Sequence, residues 1–255
     1  MTGLGRLDSV RRGPWRRVAL RTSLGSTSTV KAALMMVASL MALSVAEAAP
    51  DCQASAAPGI DWTGCSKKVI VISGSDLNGA TLVETDFTST DLRDSNLMAA
   101  NFEKATLVRA SLAGSQAQGA KFDRIEAYRT NFSGLLAKGS TFASAELQRS
   151  NFTNANLVDV DFTKADLGRA DFTGADITGS RFALANLSRA DLSKVQFSGA
   201  LDFESAFLFL TRIEGQDLSA ATGLQQWQVD MACGDAQTKL PTGITAPGNW
   251  PCVFD

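Results

Sequence analysis

From Leu77 to Phe197 every fifth residue is apolar or alanine, through 25 consecutive fives without a break. An α-helix returns to the same face every 3.6 residues and a strand every two, so neither can keep this set inside. A chain that turns a corner every five residues can, and its successive turns then stack as a solenoid. The residue two places before the centre is usually small: alanine at Ala80, Ala100, Ala105, Ala110, Ala120, Ala145, Ala155, Ala165, Ala170, Ala175, Ala185 and Ala190, and serine or threonine at most other such slots. The residue immediately before the centre is most often Asp or Asn, where turn hydrogen bonds explain it.

The unit is A(D/N)(L/F)xx, plain in Ala155-Asn156-Leu157, Ala165-Asp166-Leu167 and Ala170-Asp171-Phe172. On these residues the chain resembles the pentapeptide-repeat family over residues 67–218. The resemblance implies an all-β fold, a right-handed quadrilateral parallel β-helix of about seven coils, with four pentads to a twenty-residue coil and the central Leu or Phe pointing inward. The tail from Gly223 to Asp235 resembles the C-terminal segment of many bacterial members, and its spacing suits a short helical cap. That helix is expected to end at Gly234, with Leu224, Val229 and Ala232 against the last coil. After Phe197 the register slips by one residue and resumes at Phe203, Leu208, Ile213 and Leu218. The chain therefore divides into a signal peptide (1–48), an N-terminal cap (49–66), the β-helix (67–218) and a C-terminal cap (219–255). Within this scheme the apolar run Val69 to Ile72 is read as the first rung.

The compartment is read from the N-terminal segment. Lys31 precedes an apolar run from Ala32 to Ala46 that ends in Ala46-Glu47-Ala48, the pattern of a secretory signal peptide cleaved after Ala48. The run is too short for a membrane anchor. Two readings stand for the preceding residues: Arg11-Arg12 as a twin-arginine signal, or a true start further along, at Val30. Of the 24 basic and 26 acidic side chains, seven and two lie in residues 1–48, which leaves 17 against 24 and a net charge of −7. An acidic exported protein is a poor candidate for nucleic acid.

Four cysteines remain, Cys52 and Cys65 before the repeat and Cys233 and Cys252 after it. About seven coils stacked roughly 4.8 Å apart separate the ends by some 30 Å, whereas a disulfide needs α-carbons within about 7 Å. Pairing is thus expected to be local, Cys52 with Cys65 and Cys233 with Cys252, in an oxidising compartment; the alternative is four reduced thiols.

Sorted by coil, Phe102, Phe122, Phe142, Phe162 and Phe182 stack on one side and Phe132, Phe152 and Phe172 on the side ten residues away. Ala117, Ala127 and Ala137 shrink the interior, and Ile125 and Leu135 restore its volume. Two residues after the centres of one side stand Arg109, Arg129, Arg149, Arg169 and Arg189, one per coil. With Arg124 and Tyr128 they form a candidate binding stripe. Two explanations stay open. The arginines are a structural ladder interleaved with Asp86, Glu126, Glu146, Asp166, Asp171 and Asp191, or they receive an anionic ligand. Glycines occupy the same slot on two other sides, as at Gly119 and Gly134, which turn geometry with positive φ explains. Tyr128 stands beside Lys121, Arg124 and Arg129 in the coil with the shrunken centres.

The chain has no histidine, and no Ser or Lys stands in an activation motif, so no catalytic residue, cofactor or metal is expected. A filled prism also lacks the concave pocket of an active site. Three function classes follow. The first is an exported, non-enzymatic binding or scaffolding module of the periplasm or cell envelope, whose unknown partner is a protein or an acidic envelope polysaccharide. The second, implied by the resemblance alone, is a DNA-mimicking topoisomerase binder like the quinolone-resistance members. The third, an enzyme on a solenoid, needs a long loop that 25 uninterrupted pentads do not supply.

Overall fold

The computed structural model describes residues 50–253; the signal peptide assigned to 1–48 lies outside them. Parallel bridges join residues twenty apart on four successive sides of each coil, as in Asp86↔Thr106, Asp91↔Ser111, Asn96↔Gln116 and Asn101↔Lys121. Each centre residue donates its N–H to the next coil, for example Phe142 to the Asp161 carbonyl at 2.8 Å. Its own carbonyl accepts the N–H three residues on, as Ala145 to Phe142 at 3.1 Å, which closes a tight turn after every centre. The residue before the centre supplies a side-chain acceptor for that turn. Asp161 and Asn151 each take the N–H two residues later, at 2.9 and 2.8 Å. The Asp/Asn preference of the repeat is therefore an Asx-type turn bond.

The interior is filled by side chains in contact. Phe102, Phe122, Phe142, Phe162, Phe182 and Phe203 stack with centroids 4.9, 4.6, 5.3, 5.3 and 5.6 Å apart. Phe132, Phe152 and Phe172 form the second column at 4.9 and 5.1 Å. The columns meet edge to face, Phe142 lying 5.7 and 5.9 Å from Phe132 and Phe152. Ile125 and Leu135 are fully buried beside the three alanine centres. Where the small slot is a hydroxyl residue, it donates to the centre carbonyl of the preceding coil, as Thr130 to Leu107 at 2.6 Å and Ser150 to Ala127 at 2.7 Å. Buried polarity at these corners is thus satisfied, except at Ser140, whose buried hydroxyl has no partner.

At the N-terminal end the structure corrects the expected first rung. Bridges already begin at Asp61, inside the segment assigned to the cap, and the inward slots are Trp62, Lys67 and Ile72. Val69 and Val71 are each 75% exposed because they fall on the corner and bridge slots rather than the centre. Lys67 occupies its inward slot by lying 3.7 Å over the Trp62 ring and donating to the Cys52 carbonyl at 2.9 Å. Burial pushes the Lys67 ammonium below its ordinary pKa.

After Gln196 the bridge spacing lengthens to 21 residues at Arg181↔Asp202, where one extra residue enters the chain. Phe203, Leu208, Ile213 and Leu218 then take the inward slots. In the final coil α1 (Gln226–Met231) replaces one side. It ends at Met231 rather than Gly234, and Leu224, Val229 and Ala232 are buried as expected. Gln228 is fully buried and donates to the Phe203 and Ala206 carbonyls, both at 2.8 Å, closing orphan acceptors of the coil below. Gly234 admits no side chain, because a Cβ there would lie 2.4 Å from the Trp250 ring. Cys52–Cys65 and Cys233–Cys252 are bonded, each with Cα atoms 5.4 Å apart.

Phe142→Ala removes one ring from a continuous column, and its expected cost is about 3–5 kcal/mol; equal urea midpoints for the variant and the parent would contradict the stacking. The turn carboxylates give a second expectation. Hydrogen bonds from Thr63 hold the Asp61 carboxyl below its ordinary pKa, and bonds from Lys239 and Ser219 lower Asp217 to about 2. A depressed carboxylate pKa adds stability above the unfolded value near 4 and loses it as pH falls through the folded value. The melting temperature should therefore decline on acidification from about pH 4 towards pH 2, and a flat profile there would remove the carboxylates from the account.

Candidate functional site

Nearly every corner of the solenoid places one residue, two after the centre, at positive φ, Lys194 being an exception. Glycine fills many of these slots, but 19 other residues share the conformation. Because all four sides have it, turn geometry does not explain why two sides are bare and one carries arginine. Close approach explains part of the difference: a Cβ at Gly114 would lie 2.5 Å from Asp94 Oδ1, and one at Gly179 would lie 2.5 Å from Asp159 Oδ1. The preceding coil's corner side chain folds over these glycines.

Arg109, Arg129, Arg149, Arg169 and Arg189 occupy this slot on one side with φ of 58, 57, 59, 61 and 59°. The left-handed region is unfavourable for an L-residue with a long side chain, so local backbone preference argues against arginine five times in succession. All five are exposed. Four of the six acids assigned to them on sequence grounds are engaged elsewhere, while Glu126 and Glu146 bond neither to the arginines nor to another side chain. Asp166 accepts from Gln148 Nε2 at 2.8 Å, Asn186 Nδ2 at 3.1 Å and the Gly168 amide at 3.0 Å. Asp191 pairs with Arg212 at 2.8 Å and Asp86 with Lys68 at 2.8 Å. Asp171 takes the Thr173 amide. Among the described residues, the five guanidiniums make no hydrogen bond or ion pair, and Arg129 rests 5.2 Å from the centre of the Tyr128 ring.

The adjacent corner row behaves differently. Lys104 pairs with Glu84 at 3.0 Å and Arg124 with Glu103. Arg124 is thus tied to an acid and stands apart from the unpaired row, while Tyr128 belongs to it. The row has two distinct ends. Near Arg109 a groove of about 350 Å³ is lined by Arg93, Asp91, Asn131 and Ser111, whose buried hydroxyl has no partner. Beyond Arg189, Phe207 and Phe209 project from the same side, 44% and 43% exposed, with rings 6.3 Å apart and 14° from parallel. Sequence reasoning passed over this pair. The signal was available, since the two residues flank the centre Leu208 in slots that polar residues usually fill.

Among the described residues no three Cys, Asp or Glu side chains gather as a metal site, and no helix is long and apolar enough to cross a membrane. A second cleft, about 490 Å³, opens where the register slips and is lined by Phe197, Gln196, Gln216 and Asp217.

A family model described as pentapeptide repeats matches residues 71–103, 95–134, 138–174 and 165–201, in eight copies. Among solved structures the chain is similar to a trypsin-treated form of QnrB1, a plasmid-mediated fluoroquinolone resistance protein. The two are 19% identical over 72% of this chain and 84% of that one, with a TM-score of 0.56. HetL, a pentapeptide repeat protein involved in heterocyst differentiation regulation from the cyanobacterium Nostoc sp. strain PCC 7120, is 23% identical over 74% and 86%, with a TM-score of 0.49. Likeness at such identity speaks to fold alone. No protein of curated function matches the chain.

Left-handed geometry costs an L-residue about 1–2 kcal/mol, and the extra freedom glycine loses on folding costs about 0.5–1 kcal/mol. Arg149→Gly should therefore leave the unfolding free energy within about 1 kcal/mol of the parent, measured by urea titration. A loss of several kcal/mol would make the guanidinium a structural group.

Proposed function

Because this chain belongs to the pentapeptide-repeat family, we propose that it is a rigid, non-enzymatic docking module of the periplasm or cell envelope. In this reading the arginine side of the prism meets a macromolecular partner. The observation that carries it is the unpaired row: five exposed guanidiniums stand in successive positive-φ slots, where glycine is the least strained residue, and none of the acids beside them is paired with them. A chain whose corners are otherwise satisfied departs from local preference where a surface is used.

The two cystines support an oxidising compartment, in line with the leader read from residues 1–48. The interior supports a non-catalytic role, for its centres are closely packed phenyl and aliphatic groups with no room for substrate. Membership of the family keeps one further reading in view, a cytoplasmic binder of a topoisomerase that uses the acidic charge of the molecule. Cystines at both ends weigh against it.

The test is to recover the protein from its host and map its thiols and its companions. The expected outcome is a chain that begins near Ala49, has no free thiol, yields peptides linking Cys52 to Cys65 and Cys233 to Cys252, and brings down an envelope component. A dominant uncleaved, reduced form in the cytoplasm, bound to a topoisomerase, would overturn the proposal.

A further inference from the structure

We propose that the arginine side binds a linear anionic polysaccharide with one carboxylate per sugar, a 1,4-linked polyuronate laid along the solenoid axis. The inference rests on the docking reading above and names its ligand.

Spacing comes first. The arginines recur once per coil on a side whose bridges run Thr106↔Glu126, Glu126↔Glu146, Glu146↔Asp166 and Asp166↔Asn186 without interruption. Their anchoring backbone therefore steps by one strand separation, about 4.8 Å. One sugar of an extended 1,4-linked chain advances by close to that distance and successive sugars turn about the chain axis, so the carboxylates of one side recur in step with every second or third coil and can meet guanidiniums of the row in paired, two-bond contacts. Duplex DNA offers a phosphate about every 3.4 Å along each strand, out of step with the row, and curves away from a straight face.

Width comes second. Glu126, Glu146 and Asp166 line the bridge slots on one flank of the row, and Asp171 and Asp191 line those of the next side. A broad anionic body, such as a bilayer or a duplex, meets these carboxylates together with the arginines. A single polymer chain can lie along the arginine row between them. The slots between the acids and the arginines hold Tyr128, Gln148, Gly168 and Ser188, so the floor is lowest from Gly168 to Ser188.

The third argument is the aromatic end. Phe207 and Phe209 expose nearly parallel rings on the same side, one coil past Arg189, and Tyr128 stands in the same slot as Phe209 further back along the row. Flat, exposed rings stack against the C–H face of a pyranose, which gives a non-ionic contact at the end of an ionic track. The groove by Arg109, whose lining includes Arg93 and Asn131, offers hydrogen bonding at the other end.

The probe is polygalacturonate, with its methyl ester, duplex DNA and anionic phospholipid vesicles as comparators. The protein is expressed from the full chain and recovered oxidised. The parent should bind polygalacturonate at low salt and release it as salt rises, and should bind the ester at least tenfold more weakly. Replacing Arg129, Arg149 and Arg169 together by Gln should weaken binding at least tenfold and reduce the slope of log affinity against log salt by about two to three. The matching Arg→Gly triple variant, which suits the positive φ, should bind as poorly while melting no lower than the parent. Phe207→Ser with Phe209→Ser should weaken binding several-fold and leave the salt slope unchanged. Equal binding by the arginine variants, equal binding of the ester, or tighter binding of duplex or vesicles would overturn the proposal. If polygalacturonate is ignored but an envelope protein is captured through the same arginines, docking stands and the polysaccharide falls. If nothing is captured, both fall.

Discussion

The bond from each centre amide to the carbonyl of the next coil is the constraint on which the rest of the structure depends. It can form only if the chain returns to register after twenty residues, and Leu77 to Asn96 and Phe142 to Asp161 show it at 2.8 Å. Meeting that demand with five-residue sides forces a tight turn after each centre, hence positive φ at nearly every corner. It also brings every centre directly over its predecessor, where only a close-packed column excludes water. Core, corner and surface row are three results of one repeat distance.

The fold was legible because this constraint is written in the sequence as a period. Inward columns, small slots and Asp/Asn turn residues followed from position in the pentad, and the register after Phe197 was found by looking for where apolar centres resume. The ends were harder to read. Val69 and Val71 look like core by composition, yet the period places them outside, and Lys67 looks like surface yet takes an inward slot because Trp62 and two carbonyls receive its ammonium. Composition misleads there because a terminal coil has no neighbour on one side and is closed by side chains that a regular coil does not use.

The arginine row was equally visible as a pattern, but its meaning was not. Sequence spacing brought the acids near it and could not say whom they would bond. Gln148, Asn186 and Arg212 compete for those carboxylates through cross-coil contacts of 18 to 21 residues, and only geometry settles that competition. Phe207 and Phe209 escaped notice for a related reason: the slip changes which slot each residue of the following pentads occupies, and a reader intent on recovering the centres attends least to their neighbours.

A stack bonded only between adjacent coils can unravel only from its ends, since an opening in the middle must separate two complete faces at once. The two cystines sit at those ends and close short loops, with sequence separations of 13 and 19. Each ties its terminal segment to a residue already bonded into the ladder: Cys65 accepts from the Asp86 amide at 2.9 Å, and Cys233 donates to the Thr211 carbonyl at 2.8 Å. Among the described residues, both ends of the ladder are therefore tied. Its lifetime against proteases would then be governed by chemistry at two sulfur bonds more than by the depth of its core.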